Sequence, residues 1–91
     1  MSIQGTDAAG MTIGEAKDAI RRNVLYRYAG RVMLLEEVAA AFGVTVRTLR
    51  GWSRTSGLRI TRHPLWRVDL GRWTSFDGVD YADLILWSRT A

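Results

Sequence analysis

Residues 34–54 read LLEEVAAAFGVTVRTLRGWSR, and this stretch decides the fold predicted for the chain. Val38, Ala39 and Phe42 recur at helical spacing, so they face one side of a first helix. Gly43 follows directly, where a helix that ends in a left-handed residue favours glycine. The pattern therefore predicts a short helix that stops in a tight turn.

A second helix is predicted to begin after Thr45. The Thr45 hydroxyl can accept a hydrogen bond from one of the unpaired N–H groups of the first helical turn. Leu49 and Trp52 are three residues apart, so they share an apolar face. The apolar faces of the two helices can be buried only against each other and against a third element.

This pattern resembles the helix-turn-helix of DNA-binding proteins. In that superfamily a small residue stands where the two helices cross and a glycine opens the turn, and Ala39 and Gly43 match these places. The buried apolar positions of the motif are matched by Val38, Phe42, Val44, Leu49 and Trp52. One departure is that Met33 and Leu34 occupy the start of the first helix, where a capping Ser, Thr, Asp or Asn is expected. The resemblance implies that the second helix is a recognition helix placed in the major groove.

Positive charge is concentrated in and after this stretch. Between residues 42 and 73 the only acid is Asp69, whereas the basic residues are Arg47, Arg50, Arg54, Arg59, Arg62, Arg67 and Arg72. A basic stripe centred on a recognition helix is the footprint expected for contact with phosphates. This charge argues against the alternative of an ordinary helical hairpin with a structural role.

The resemblance and the charge together give the candidate DNA contacts of the recognition helix. They are Thr45, Arg47, Thr48, Arg50 and Arg54. Arginine suits guanine O6 and N7 or phosphate, and a threonine near the helix start suits phosphate or base edges. Thr48 is the secondary candidate.

A β-hairpin is predicted after Gly57, which is placed to stop the recognition helix. Two short runs alternate apolar and polar residues, one at Leu58 and Ile60 and the other over residues 66–70. His63-Pro64 lies between them and is predicted to form the turn. Two alternatives stay open: that residues 70–73 begin a loop or a helical turn, and that the hairpin is solvated and supports Trp66 and Trp73 in the core.

A helix-turn-helix followed by such a wing resembles the winged domains of MerR-type regulators, phage excisionases and lambda-type terminase small subunits. In those families the wing lies along the DNA backbone or the minor groove, beside the recognition helix. The resemblance implies that the wing contacts of this chain are Arg59, Arg62, His63 and Arg67.

The segments on either side of this unit are also predicted to be helical. Residues 12–29 form a first helix that opens with a capping box of Thr12 and Glu15. Its apolar stripe consists of Ile13, Ala16, Ile20, Val24, Leu25 and Tyr28, and its basic residues Lys17, Arg21, Arg22 and Arg27 are interpreted mainly as a solvated face. Residues 1–11 have small and polar side chains without periodicity and are predicted to be a flexible tail.

Residues 74–78 are predicted to form a loop, after which Asp80 caps a final helix from Tyr81 to about Arg89. Val79 and Leu84 have the spacing of a hydrophobic staple around that cap. The helix is apolar on most sides. It therefore either packs over the wing and the first helix or meets a second copy of the chain in a homodimer.

The composition points away from catalysis. The chain has no cysteine and a single histidine, so neither a thiolate nor a multi-histidine metal site is expected. Glu36 and Glu37 are adjacent on a helix and point about 100° apart, so they do not form an acid–base pair. Asp77, Asp80 and Asp83 are interpreted as turn and cap residues. We expect no enzyme activity, no cofactor and no metal.

Ninety-one residues with a formal net charge of +4 fit one small domain, residues 12–91, with a polyanionic partner. No signal peptide and no apolar run of membrane length is seen, so a cytoplasmic protein without a membrane partner is expected. The predicted fold class is mainly α: a three-helix core containing a helix-turn-helix, a short β-hairpin wing and a C-terminal helix.

The predicted function is sequence-specific binding of double-stranded DNA by a small bacterial or phage transcriptional regulator. The first alternative is a phage excisionase or a DNA-packaging accessory factor. The second is a protein-interaction module, because helix-turn-helix folds serve both uses.

Overall fold

The computed structural model describes residues 10–90 of the chain, so residues 1–9 of the tail predicted for residues 1–11 lie outside the described part. The elements in chain order are α1 (Ile13–Arg21), a 3-10 turn (Tyr26–Tyr28), β1 (Val32–Leu34), α2 (Leu35–Phe42), α3 (Val46–Ser56), β2 (Thr61–Arg67), β3 (Arg72–Asp80) and α4 (Tyr81–Ser88). The strands form one antiparallel sheet in the order β1-β3-β2. The described chain is thus a mixed α/β domain, which corrects the mainly α expectation, although a hairpin of the predicted kind is present.

The core lies where the four helices meet one face of the sheet. Its largest fully buried apolar side chains come from the helices, from two strands and from the segment after α3: Ile20, Met33, Val38, Phe42, Leu49, Leu58, Val79 and Leu84. Trp52 of α3 lies between two other rings, with its centroid 6.1 Å from that of Phe42 and 5.9 Å from that of Trp87. Burial of each such side chain contributes about 1.5–3 kcal/mol, so the helices hold the sheet mainly through apolar contact.

The two helices and the glycine turn predicted for residues 34–54 are present. Gly43 has the left-handed φ of 67°, and the Val44 N–H donates to the Ala39 carbonyl at 3.0 Å. The Thr45 hydroxyl accepts the Thr48 N–H at 3.1 Å and so caps α3. The Leu34 N–H at the start of α2 donates to the Glu37 carboxylate at 2.9 Å, which partly replaces the capping residue that the sequence lacks.

Helix α1 is shorter than the helix predicted for residues 12–29. The Thr12 and Glu15 capping box is present, with hydrogen bonds of 2.9 and 3.2 Å, but the helix ends at Arg21. Asn23 adopts a φ of 63°, and the Val24 N–H donates to the Ala19 carbonyl at 3.1 Å. Asparagine is one of the few residues that tolerate this left-handed conformation at a helix end. The chain therefore turns away, and Val24 is exposed although the predicted stripe included it.

The β-hairpin is longer than predicted and turns at a different place. β2 runs straight through His63 and Pro64, and residues 68–71 form the turn, where Gly71 has a φ of 63°. β3 includes residues 74–78, which were predicted to form a loop. Because β2 is the edge strand, its proline need not donate to a neighbouring strand, so the Pro64 and Ser75 pair can lie within the ladder.

Helix α4 begins where the sequence predicts. The Asp80 carboxylate accepts the Ala82 N–H at 2.9 Å, and Val79 and Leu84 are both fully buried. The helix packs along α1, and the arrangement places Lys17 in the interior at 6 % exposure, not on the solvated face predicted for it. The Lys17 ammonium lies 5.2 Å from the Trp87 ring centroid and donates to the Thr90 hydroxyl at 2.7 Å. A cation there complements the negative end of the α4 dipole.

Candidate nucleic-acid interface

One face of α3 carries a row of exposed arginines. Arg47, Arg50 and Arg54 are spaced i, i+3 and i+7, so they lie on one side of the helix, opposite the buried Leu49 and Trp52. Among residues 10–90, no carboxylate lies within 4.0 Å of the guanidinium of Arg47 or of Arg54. Their charges are therefore directed to solvent, as phosphate contact requires.

The two threonine candidates lie at the start of α3. The Thr45 hydroxyl already accepts the Thr48 N–H, and the two hydroxyl oxygens are 3.0 Å apart. This pairing uses part of the hydrogen-bonding capacity of both side chains. Thr45 is exposed and Thr48 is half-buried, so Thr45 is the more accessible of the two.

An open groove of about 580 Å³ separates α3 from the hairpin. It is lined by Arg50, Ser53, Arg54, Ile60, Thr61, Arg62 and Asp77. The carboxylate of Asp77 lies between two of the arginines: Oδ2 is 3.1 Å from an Arg50 terminal nitrogen, and Oδ1 is 3.6 Å from Arg62 Nε. The hydrogen bond from Arg50, with a smaller contribution from the charge of Arg62, holds the pKa of Asp77 below its ordinary value. The groove thus combines three cations with one anion.

The arginines predicted for the wing differ in how closely their guanidinium groups are paired with carboxylates. Arg59 precedes β2 and is exposed, with its Nε 3.9 Å from the Asp83 carboxylate of α4. Arg67 lies at the turn, where it donates twice to Asp69 at 2.9 and 2.6 Å. This double hydrogen bond lowers the pKa of Asp69 and neutralises Arg67 locally. Arg59 is therefore available to a ligand and Arg67 is largely occupied.

His63 does not lie at the tip of the hairpin. It is in β2, with Nε2 2.6 Å from the Thr61 hydroxyl and its ring stacked on Phe76 at a centroid distance of 5.4 Å. Side chains alternate along a strand, so His63 and Arg62 point to opposite faces of the hairpin. His63 is not among the residues that line the groove, so the structure does not bring it together with the α3 arginines.

Trp66 and Trp73 are exposed at the outer end of the hairpin, not buried in the core as one alternative proposed. They lie directly opposite each other in the β2–β3 register. Alternation along the strands puts both on the same face as Arg62 and Asp77. Val68 and Leu70 of the turn are exposed as well, so the hairpin ends in an apolar tip.

Asp77 is the member of this site that sequence reasoning missed. It was interpreted as a turn residue, but it lies in β3. Arg50 is 27 positions before it and Arg62 is 15 positions before it, and neither spacing is a local pattern. Only the register of Arg62 with Asp77 and the packing of α3 bring the three together.

Residues 10–90 contain no cluster of three or more His, Asp or Glu side chains that could hold a metal ion. None of the helices described there is long and apolar enough to cross a membrane. Comparisons with family models, with curated proteins and with solved structures find no match to this chain.

Proposed function

We propose that this protein binds double-stranded DNA, with α3 in the major groove and the β2–β3 hairpin beside it. The observation that carries the proposal is the row of exposed arginines on α3, which continues across the groove to Arg62. The arrangement of α2, a glycine turn, α3 and a hairpin also resembles the winged helix-turn-helix domains.

The dimensions and chemistry favour DNA over other polyanions. A helix with its side chains is about 10–12 Å in diameter, and the major groove of B-form DNA is about 12 Å wide. The major groove of A-form RNA is too deep and narrow for side chains to read. All the cations of this surface are arginines, which form paired hydrogen bonds with guanine or phosphate. A helix that lies on a lipid surface inserts its apolar face into the membrane, whereas the apolar face of α3, with Leu49 and Trp52, is buried in the core.

In this proposal Arg47, Arg50 and Arg54 contact base edges or phosphates, and Thr45 contacts a phosphate near the start of α3. Arg59 and Arg62 contact phosphates from the hairpin side. The proposed cellular role is transcriptional regulation by a small bacterial or phage protein. A single palindromic site fits that role, whereas repeated phased sites fit an excisionase or a packaging factor.

A second candidate function rests on the apolar tip of the hairpin. Val68, Leu70 and Trp73 are exposed together, and contiguous exposed apolar surface marks contact sites between proteins. A protein-interaction module that uses this tip would bind its partner at high salt and would not bind DNA.

The test is selection of bound duplexes from a random-sequence library, followed by affinity measurements over a range of salt concentrations. We expect an enriched sequence and a slope of log affinity against log salt of about −0.9 for each phosphate contact. Absence of enrichment, together with binding that does not depend on salt, would reject the DNA proposal and favour the protein-interaction module.

A further inference from the structure

Asp77 provides the only carboxylate among the residues that line the groove. Its two oxygens face different elements, Oδ2 toward Arg50 of α3 and Oδ1 toward Arg62 of β2. The side chain keeps 31 % exposure, so it lies at the surface where the proposed DNA would dock. A negative charge at that place repels phosphates, and its presence there calls for a physical explanation.

Stability is a poor explanation. Ion pairs of partly exposed side chains contribute little to the free energy of folding. Helix α3 is held to the rest of the domain by Leu49 and Trp52, which are buried in the core. The contact of Asp77 therefore acts mainly on the two arginines and much less on the position of the helix.

The contact leaves Arg50 partly occupied. A guanidinium has five N–H donors in a fixed plane, and in Arg50 one terminal nitrogen donates to Asp77. The remaining donors can still form the paired hydrogen bonds that guanine O6 and N7 accept. A phosphate that approaches Arg50 from another direction has to compete with the Asp77 carboxylate for the guanidinium, because the two already form a charge-assisted hydrogen bond.

We infer that Asp77 is a specificity-determining residue of this surface: it orients Arg50 for base contact and withholds Arg50 and Arg62 from phosphates of non-matching DNA. The inference rests on the proposed function. Asp77 of the hairpin thus lowers the affinity for non-specific DNA, and the affinity of the surface for DNA as a whole is lower as a result.

The test compares the wild type with Asp77→Asn on two duplexes, one enriched by the wild type from a random library and one shuffled to the same composition. We expect Asp77→Asn to bind the shuffled duplex more tightly than the wild type does. Its slope of log affinity against log salt should be steeper by about one to two units, one for each arginine released to a phosphate. The ratio of the two affinities should fall, by about tenfold if one base contact is lost.

Two further variants separate this role from a change in net charge. Asp18→Asn removes a carboxylate that pairs with Arg22 at 2.9 Å on α1, outside the groove, and should keep the wild-type affinity ratio. Asp77→Glu keeps the negative charge and should keep the wild-type salt slope on the shuffled duplex. Thermal melts of all variants establish that each is folded.

An affinity ratio in folded Asp77→Asn equal to that of the wild type would overturn the inference, as would a salt slope in Asp77→Glu equal to that of Asp77→Asn. Either result would leave the proposed function standing, provided that the wild type binds duplex DNA in a salt-dependent way. If the wild type binds neither duplex, the proposed function itself fails.

Discussion

Trp66 and Trp73 face each other across the β2–β3 ladder, with ring centroids 5.5 Å apart in a T-shaped arrangement. They are nevertheless 47 % and 67 % exposed, whereas Trp52 and Trp87 are 8 % and 3 % exposed. Edge-to-face contact gives aromatic pairs a stabilisation of about 0.5–1.5 kcal/mol beyond their burial. The pair thus stiffens a hairpin whose outer end has no core beneath it.

The four tryptophans should report separately on the hairpin and the core. We expect acrylamide to quench the fluorescence of Trp66 and Trp73 much more than that of the buried pair. If the hairpin lies on DNA, an enriched duplex should reduce this quenching in the wild type. The double variant Trp66→Phe/Trp73→Phe, which keeps only the buried pair, is the control and should show little change on DNA addition. Unchanged quenching of the wild type in a complex shown to be formed would argue against hairpin contact.

Removal of single arginines from α3 should weaken specific binding while the fold is retained. Arg47→Ala and Arg50→Ala should each cost about 1–3 kcal/mol if the residue reads a base, and each should relax the preference at one position. Gel-shift titrations with the enriched duplex measure the effect. Arg22→Ala, which removes a cation directly after α1, should change affinity least. Full affinity in both α3 variants would exclude this face as the reading surface.

The hairpin arginines should contribute to binding through phosphate contacts. In the triple variant Arg59→Ala/Arg62→Ala/Arg67→Ala, the salt slope on the enriched duplex should decrease by about one unit per lost phosphate contact. The decrease should be smaller on non-matching duplexes, because Asp77 already withholds Arg62 from their phosphates. Of the single variants, Arg67→Ala should change the slope least, because Asp69 already neutralises that side chain. A folded triple variant with the parent slope would show that the hairpin does not touch DNA.

The crossing of α2 and α3 should be sensitive to added side-chain volume. Ala39 is buried, so Ala39→Leu should overpack the crossing and cost about 1–3 kcal/mol of stability. Gly43→Val should cost about 1–2 kcal/mol or more, because a side chain is unfavourable at a φ of 67°. Gly51→Ala is the matched control: its new methyl group meets only the Arg54 guanidinium at 3.9 Å, so helix propensity should raise the melting temperature. Melting temperatures of Ala39→Leu and Gly43→Val equal to that of the wild type would contradict this account of the turn.

The contact between Arg50 and Asp77 predicts a pH dependence with a definite sign. The hydrogen bond from Arg50 lowers the pKa of Asp77 in the folded state below the ordinary value of 3.8. A lowered folded pKa stabilises the protein above the ordinary value, and that contribution is lost as the pH falls through the lowered one. Because the pair is partly exposed, its contribution to stability is small, and the correspondingly small difference in melting temperature between the wild type and Asp77→Asn should shrink between pH 5 and pH 2. A difference that stays constant over this range would show that the ionised carboxylate does not contribute.

The two-helix unit was predictable because its signals are local. Each signal lies within a few residues of the chain. The signals are the helical spacing of apolar residues over one or two turns, the glycine after Phe42 and the threonine cap at Thr45. The capping box at Thr12 and the cap at Asp80 were predictable for the same reason. In each case the residue that favours the structure and the backbone group that it satisfies are close in sequence.

The errors occurred where two local signals competed. His63-Pro64 is a common turn pattern, but Pro64 can remain in an edge strand because its missing N–H is not required there. The apolar spacing of α1 continues past Arg21, but Asn23 takes the left-handed conformation and ends the helix. β1 was missed for a different reason: it has only three residues, Val32–Leu34, and its existence depends on pairing with the distant β3.

Local sequence patterns were sufficient to predict α2 and α3 with the glycine turn between them, the capped starts of α1, α3 and α4, and the concentration of arginine after residue 42. Which of those arginines are free depends on how distant segments pack, because Asp77, Asp69 and Asp83 reach their partners through strand register, the hairpin turn and helix packing. The same packing buries Lys17 and leaves Trp73 exposed, since burial depends on which elements lie against each other. Local patterns specify backbone conformation, whereas the surroundings of a charge or a ring depend on residues far away in the chain.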